Sequence, residues 1–484
     1  MISRMFARKA RTHRTPVPRL RLDRLEDRDV PATWNPDPGS DFLASNPDNW
    51  DFGYGESIEY FRHAGFNSDN TLPCLDFSGD FDAINVNPGY TGTITLNGDL
   101  TVVMFYQGDG TIDQPLGSGS EIFVTQWWGW EGGTLNSTST TSSITVDGST
   151  YGWAMANISP TNAGTLETGS KIRFLGGTMA TIDPGTLSFA LGIGMVVQNS
   201  SVTMPVSYAA ETRIVTKDGV DPNEGNRIFL DAGSSYRVIG QNDFTRRAIA
   251  STRLPIYNSG GHLSVEGGTN FTIRGVISHN TLPGTYHGAL YQVSGTTDLQ
   301  NGGLLHVDSG VQILGGNLRT ISNPVLLPPD QQFFTIQGDL RVDQLSAQAP
   351  TNVYIDYAPA GQAHVPGMLE VKGNVRWTGG TYRPWIDIAN QARADLWHAT
   401  GTFTLSNTVT VSVNAENFDP NLGIAATFRA KVLYAKLGFT GENGAAAPNP
   451  QLTLQAGVNL TWFILSDTNP NSPQGKWFAL GPTS

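Results

Sequence analysis

The sequence predicts an all-β solenoid, in which short strands wind around one axis and each turn covers the core of the previous turn. The 484 residues include 55 glycines and 28 prolines but only 15% charged residues, which argues against long helices. Short runs alternate polar and apolar side chains and are separated by Gly, Asn, Asp or Pro, as expected for strands with one buried face. A Gly-Gly frame also recurs along the chain, which is typical of stacked repeats.

The first 33 residues differ from the rest of the chain in charge. They contain nine Lys or Arg and four Asp or Glu, whereas the whole chain has a formal net charge of -12. No apolar core of a secretory signal follows the basic residues. Composition alone leaves two interpretations of residues 1–33, a nucleic-acid arm and a plain disordered tail. The acidic remainder would repel phosphate backbones, so we expect no nucleic-acid partner for it.

The remainder divides into two predicted caps and a repetitive body. We expect residues 34–74 to form an N-terminal cap, residues 75–414 to form the solenoid and residues 415–484 to form a C-terminal β cap, because open solenoid ends invite aggregation. The clearest strand-like segments are 92–96, 100–105, 121–125, 143–146, 171–175, 269–273, 311–314, 369–371 and 408–413.

Two segments depart from this regular pattern. Residues 388–400 have apolar positions near helical spacing and predict one short helix or turn. Residues 205–260 contain few regular strands, so we expect a loop there.

The Gly-Gly frame has five similar copies, in which an apolar or aromatic residue precedes Gly-Gly and Thr or Asn follows it. The copies lie at 130–135, 174–179, 265–270, 313–318 and 377–382. Their spacings are close to multiples of 21–23 residues, the size of one solenoid turn. About 16 turns are therefore expected, with glycine at the corners because it tolerates positive φ and close backbone approach.

Two resemblances refine these expectations. The segment Arg-Leu-Asp-Arg-Leu-Glu-Asp-Arg-Asp-Val-Pro-Ala at 21–32 resembles the N-terminal L-E-x-R-x-x-P-A motif of exported surface proteins of planctomycete bacteria. Trp-x-Gly-Gly-Thr-Leu at 130–135, followed by Ile-Thr-Val-Asp-Gly at 144–148, resembles the turns of right-handed parallel β-helix proteins with the pectin-lyase-like fold. The first resemblance implies that residues 1–33 are a disordered targeting segment and that the protein is extracellular or on the cell surface. The second implies a single-stranded right-handed parallel β-helix.

Motifs of known catalytic chemistry are sparse. The chain has no adjacent pair of aspartates, no His-x-His or His-x-x-x-His pair, and a single cysteine, Cys74. The best acidic cluster comprises Asp218, Asp221 and Glu224, and it is either a solvated loop or a cation site. The longest mostly apolar stretch, 187–197, is too short to span a bilayer as a helix. We therefore expect no cofactor and no membrane span, and we predict no particular oligomeric state.

Aromatic residues are the strongest candidates for ligand binding. Two groups stand out, and their members are Trp127, Trp128, Trp130, Trp377, Tyr382 and Trp385. Along a strand, Trp128 and Trp130 would face one side and Trp127 the other. Exposed rings could stack on sugars, whereas rings on the inner face would be core.

The resulting functional hypothesis is an exported structural or adhesion-type β-helix protein without catalytic activity, with weak contacts to a polysaccharide or surface glycan. The alternative is a polysaccharide lyase or glycoside hydrolase on the same scaffold. That alternative requires ionisable side chains from successive turns to converge at one place on the surface. A calcium-stabilised adhesion module is a third hypothesis.

Overall fold

The computed structural model describes most of the chain after residue 31. The described residues are 32–52, 62–115, 119–137, 142–159, 165–183, 186–189, 194–205, 212–216, 227–241, 248–274, 277–279, 286–300, 303–307, 310–321, 333–344, 350–355, 366–389, 394–416, 424–425, 427–454, 458–468 and 475–483.

The strands occur in the following order. Before the first turn lie β1 (Ala32–Trp34), β2 (Trp50–Asp51) and β3 (His63–Phe66). Turns one to five contain β4 (Cys74–Val86), β5 (Thr93–Gln107), β6 (Thr111–Gln114), β7 (Glu121–Trp130), β8 (Thr134–Ser137), β9 (Ser143–Asp147), β10 (Ala154–Ile158), β11 (Thr165–Thr168), β12 (Lys171–Leu175) and β13 (Thr178–Ile182). Turns six to ten contain β14 (Thr186–Phe189), β15 (Met195–Val197), β16 (Ser201–Pro205), β17 (Thr212–Thr216), β18 (Ile228–Asp231), β19 (Ser235–Ile239), β20 (Ile249–Thr252), β21 (Ile256–Glu266), β22 (Asn270–Ile273), β23 (Ile277–His279), β24 (Tyr286–Gly288), β25 (Leu290–Gln300), β26 (Leu304–Val307), β27 (Val311–Ile313) and β28 (Gly316–Ile321).

Turns eleven to fourteen contain β29 (Phe333–Gln337), β30 (Leu340–Val342), β31 (Thr351–Tyr354), β32 (Met368–Val371), β33 (Val375–Trp377), β34 (Thr381–Arg383), β35 (Trp385–Asp387), β36 (Leu396–Ala399), β37 (Phe403–Leu405), β38 (Thr410–Ser412), β39 (Asn414–Glu416), β40 (Ala430–Ala435), β41 (Phe439–Gly441) and β42 (Gln451–Thr453). The chain ends with β43 (Leu460–Ser466) and β44 (Lys476–Pro482), and short 3-10 helices occur at Pro47–Asn49 and Glu442–Gly444. The described residues contain no α-helix, and hence no helix long and apolar enough to cross a bilayer.

These strands form a parallel β-helix, as the sequence predicted. Each turn adds one segment to sheet 1, then one to sheet 2 and one to sheet 3, and every segment pairs in parallel with the equivalent segment of the next turn. Fourteen turns lie between Cys74 and Thr453 in the described chain. At about 4.8 Å per turn the stack is about 60 Å long, shorter than the sixteen turns expected from the sequence would make it.

The core consists of apolar side chains that stack in rows along the axis. In β12, Ile172 and Phe174 are fully buried while the residues between and beside them are half-exposed. Ile172 has Ile144 below it and Met195 above it at equivalent positions of sheet 2, and all three are buried. Each such side chain contributes roughly 1.5–3 kcal/mol by its burial, so the alternation seen in the sequence is what holds successive turns together.

Glycine is required where the backbones of successive turns meet at a corner. Gly295 and Gly316 stack between sheets 2 and 3, with φ of 88° and 77°. A Cβ on Gly316 would lie 2.1 Å from the carbonyl oxygen of Gly295. Both the positive φ and the close approach therefore exclude other residues at this corner.

The Gly-Gly frame marks two corners and not one. The pairs 132–133 and 267–268 lie between sheets 3 and 1, whereas 176–177, 315–316 and 379–380 lie between sheets 2 and 3. The inferred unit of 21–23 residues was therefore wrong. The glycines at 315 and 379 are two turns apart, not three, because turns of different length carry the same frame.

The structure refines one local prediction and leaves another untested. In the described part of 388–400, residues 388–389 form a turn, as predicted, and β36 follows, with Trp397 and Ala399 pointing into the core. The described parts of 205–260 carry strands β17 to β21, which pair in parallel with the neighbouring turns. Residues 206–211, 217–226 and 242–247 lie outside the described residues, so the loop expected in this range stays a prediction.

Both ends of the stack are closed by aromatic residues. At the start, Trp34 and Trp50 meet edge to face at 5.0 Å between ring centroids, and β1 pairs with both β2 and β3. Strand β1 begins at Ala32, inside the segment predicted to be disordered; residues 1–31 lie outside the described residues. At the other end, parallel pairing continues past residue 414 to β42, and antiparallel β44 packs Phe478 against Phe439 at 4.5 Å.

Candidate functional site

The outer face of sheet 3 carries two rows of side chains that run along the axis. The first row includes Met104, Trp127, Met155, Met179, Ser201, Ser235, His262, Thr296, Asn317 and Asn352. The second row includes Tyr106, Gly129, Asn157, Thr181, Thr203, Arg237, Ser264, Asp298, Arg319, Tyr354 and Arg383. The first row is apolar in turns two to five, and both rows are polar or charged in turns seven to ten.

Five of the six predicted aromatic residues are part of the core. Trp128, Trp130, Trp377 and Tyr382 have no exposed surface, and Trp385 is 3% exposed. Trp128 and Trp130 stack on each other at 5.5 Å, and Trp377 packs edge-on against Tyr382. Only Trp127 lies on the outer face with part of its ring exposed. The predicted alternation of these indoles is confirmed, and it assigns a single one of the six to the surface.

The indole of Trp127 lies across Gly129, two residues further along the same strand. A Cβ on Gly129 would lie 2.5 Å from Cη2 and 2.7 Å from Cζ2 of Trp127. Because Gly129 has no side chain, the indole can lie over the backbone there. The ring of Tyr106, from the turn below, is nearly parallel to the indole, at 5° and 6.2 Å between centroids. We call Trp127 and Tyr106 the aromatic platform.

Polar groups border the aromatic platform on one side. The Tyr106 hydroxyl donates a hydrogen bond of 2.8 Å to the Glu131 carboxylate. Burial, with this bond and the Glu131 charge, raises the pKa of Tyr106 to about 12, so the phenol remains protonated and keeps donating at neutral pH. Asn157 is exposed and follows Gly129 in the second row. An apolar ring surface beside a carboxylate and an amide suits a ligand that has both an apolar face and hydroxyl groups.

A second cluster lies five turns further along the same face. The Asp298 side chain is 1% exposed and accepts hydrogen bonds from Arg319 Nε and Nη2, both at 2.7 Å. His262 Nε2 lies 2.8 Å from the same carboxylate. Burial alone would raise the pKa of Asp298, but the hydrogen bonds from His262 and Arg319 outweigh it and lower that pKa. Asp298 is therefore ionised at neutral pH.

The ionised carboxylate determines the tautomer of His262. A carboxylate only accepts hydrogen bonds, so Nε2 must carry a proton, and in the neutral ring Nδ1 is then an acceptor. Among the described residues Nδ1 has no hydrogen-bond partner, and the side chain is 38% exposed. This geometry orients an imidazole so that its basic nitrogen is available for proton transfer.

Further polar side chains adjoin this histidine. Arg237 Nε donates to Glu266 Oε1 at 2.9 Å, and Ser264 Oγ donates to the same oxygen at 2.6 Å. Gln300 Nε2 in turn donates to Ser264 Oγ at 3.2 Å. We call the set formed by Arg237, His262, Glu266, Asp298 and Arg319 the charged cluster.

No group of three or more His, Cys, Asp or Glu side chains in the described parts of the chain is arranged to hold a metal ion. The predicted acidic cluster of Asp218, Asp221 and Glu224 lies outside the described residues. Cys74 is buried, and burial raises the pKa of its thiol well above the ordinary value, consistent with a core residue.

Sequence reasoning missed the charged cluster. His262, Asp298 and Arg319 were not among the candidate residues that the sequence predicted. Asp298 lies 36 residues from His262 and 21 from Arg319. Each separation corresponds to one turn, because the turns differ in length. A charged residue at an outward position of a strand was the available signal, but it does not identify its partners.

Comparison of the sequence with models of known protein families finds no match, and comparison with curated proteins finds none either.

Proposed function

We propose that the chain is a rigid β-helical rod of an exported protein, located outside the cell or on its surface, that binds a polysaccharide or surface glycan on the outer face of sheet 3. The observation that carries the proposal is the Trp127 indole, which lies across Gly129 on a face exposed to water. A sugar ring presents C–H groups on one face and hydroxyls at its edge, and the aromatic platform offers a surface for the first and Glu131 and Asn157 for the second.

The direct test is removal of the indole. Electrophoresis in native gels that contain cellulose derivatives, xylan, mannan, galactan, polygalacturonate or alginate measures binding as retardation of the full chain. We expect at least one neutral polysaccharide to retard the protein, because the charged group beside the platform is a carboxylate. In Trp127→Ala the affinity should fall about tenfold or more, equivalent to about 1.4 kcal/mol.

Leu437→Ala is the matched control, since Leu437 is 53% exposed but lies near the opposite end of the rod. It should bind as the unmodified protein does. Equal binding by Trp127→Ala, or no retardation by any polysaccharide, would contradict the proposal.

The charged cluster favours a second candidate function, a polysaccharide lyase or glycoside hydrolase. Its five ionisable side chains come from four consecutive turns of one sheet face, which is the convergence that the enzymatic alternative requires. In this proposal His262 acts as the base through Nδ1, while Asp298, held by Arg319, keeps the imidazole in position.

Activity assays separate the two candidates. Polysaccharides retained in the gels are incubated with the protein, and new reducing ends or unsaturated uronates are measured. If the enzyme proposal holds, His262→Ala abolishes product formation without changing retardation, and Leu437→Ala has no effect. No product from any retained polysaccharide, or equal product from His262→Ala, would leave only the binding function.

A further inference from the structure

Three exposed methionines occupy the same row as Trp127. Met104 lies in the turn below the indole, Met155 in the turn above it and Met179 one turn beyond. They are 45%, 46% and 52% exposed, respectively. We call these three residues the methionine row. Methionine is usually a core residue, so three exposed thioethers at successive positions around one indole are an unusual arrangement.

The same chain contains methionines in the opposite environment. Met195 and Met204 are fully buried in the core, and Met204 Sδ accepts a contact of 3.8 Å from the Tyr236 hydroxyl. Oxidation of methionine depends on access of the oxidant to sulfur. The methionine row should therefore react much faster than these two residues, which serve as internal controls.

We propose that the methionine row is a modification site, at which hydrogen peroxide converts the thioethers to sulfoxides and so weakens glycan binding at the aromatic platform. In each reaction a sulfur lone pair attacks one peroxide oxygen, the O–O bond breaks, and water leaves after proton transfer. Sulfur loses two electrons and the peroxide gains them. The inference rests on the proposed binding function, because it regulates the same surface.

The physical effect of oxidation is local. A thioether flanking the indole adds to the apolar surface on which the C–H face of a sugar would rest. A sulfoxide is polar and chiral, so covering it with the C–H face of a sugar removes hydrating water without providing a hydrogen-bond donor in return. Because the methionine row lies outside the core, this chemistry leaves the packing of the turns unchanged.

The first experiment measures oxidation itself. The full chain is exposed to limiting hydrogen peroxide, and peptide mass spectrometry follows sulfoxide formation at each methionine. We expect Met104, Met155 and Met179 to be oxidised many-fold faster than Met195 and Met204. Equal rates for exposed and buried methionines would overturn the proposal.

The second experiment measures the consequence for binding, with the polysaccharide that retards the untreated chain most strongly as the probe. Peroxide should reduce retardation several-fold, and methionine sulfoxide reductases should restore it. A variant with Leu at all three positions has no oxidisable sulfur, so the binding measured before treatment should be unchanged after peroxide. Unchanged binding after selective oxidation, or equal loss in the Leu variant, would overturn the proposal.

Failure of the binding function itself gives a different result. In that case no polysaccharide retards even the untreated chain. The indole N–H signal of Trp127, assigned in the NMR spectrum by its absence in Trp127→Phe, then reports on the row: a shift on oxidation supports the modification site, and an unshifted signal overturns it.

Discussion

Single residues on β7 determine which indole meets solvent. Trp128 and Trp130 are fully buried, and Trp127 is partly exposed, although all three lie within four residues. The sequence predicted this alternation because strand geometry places neighbouring side chains on opposite faces. The sequence did not predict which face of the strand is exposed to solvent, since an indole is stable both in the core and at the surface. Gly129 determines the position of the exposed Trp127 ring, because the indole occupies the space that a side chain at residue 129 would otherwise fill.

Gly129→Ala tests that role directly. The backbone at Gly129 has no positive φ, so alanine is compatible with the strand, but its Cβ would meet the indole at 2.5 Å. We expect the ring to swing away from the sheet, polysaccharide affinity to fall several-fold, and the urea midpoint to change little. Affinity gels and urea titrations measure the two effects. A variant that binds as tightly as the unmodified chain would show that the ring position is unimportant.

The two faces of β7 should also differ in their contribution to stability. Trp128→Ala removes a fully buried indole and should lower the free energy of unfolding by about 3–5 kcal/mol. Trp127→Ala removes a partly exposed one and should cost much less. Denaturant titrations of both variants give the comparison, and similar losses would contradict the assignment of Trp127 to the surface.

A half-buried histidine gives the fold a predictable response to acid. His398 packs edge-on against Tyr434 at 4.7 Å, and burial lowers the pKa of His398 from 6.5. The unfolded chain therefore takes up this proton at higher pH than the folded chain. The stabilisation is complete above pH 6.5 and is lost as the pH falls through the lower, folded-state pKa.

We therefore expect the free energy of unfolding to fall as the pH drops below about 6.5, and His398→Phe to lack that part of the decrease. Urea titrations across this range provide the measurement. An identical pH profile for the variant would exclude His398 as the source.

At the level of elements, the strands could be predicted but their partners could not. Alternation in β12 or β22 is a local property that a single sequence displays. Pairing depends on turn length, and the described turns vary because loops such as the β23–β24 hairpin interrupt some of them. The Gly-Gly frame misled the repeat estimate because both kinds of corner demand glycine for the same steric reason. The contact of His262 with Asp298 depends on which strands pair, so it could not be predicted without the lengths of the turns.

The corners offer a matched comparison of two glycine requirements. Gly316 and Gly152 have similar φ of 77° and 80°, but a Cβ on Gly152 would meet nothing within 4 Å, whereas one on Gly316 would meet backbone at 2.1 Å. Gly152→Ala should cost about 1 kcal/mol from φ alone. Gly316→Ala should cost substantially more because the turn below must move. Equal losses in urea titrations would contradict the close approach between turns.

For the whole molecule, stability is a sum over neighbouring turns, and the ends need protection. Strand β44 pairs with β40 and β43 and places Phe478 over Phe439. Deletion of residues 458–484 removes this cover and leaves parallel strands exposed, so we expect association into dimers or larger species. Size-exclusion chromatography with light scattering measures it, and removal of residues 1–31 is the control. A monomeric product of the C-terminal deletion would show that β43 and β44 do not protect the end of the stack.

The ladder of parallel pairs also has a mechanical consequence. Hydrogen bonds between turns point along the rod, so a force that pulls its two ends apart loads the turns in series. The turns should then unfold one at a time. A stretching experiment should record a series of small, similar force steps in place of a single rupture. A cell that anchored such a molecule would have a tether that lengthens gradually under load.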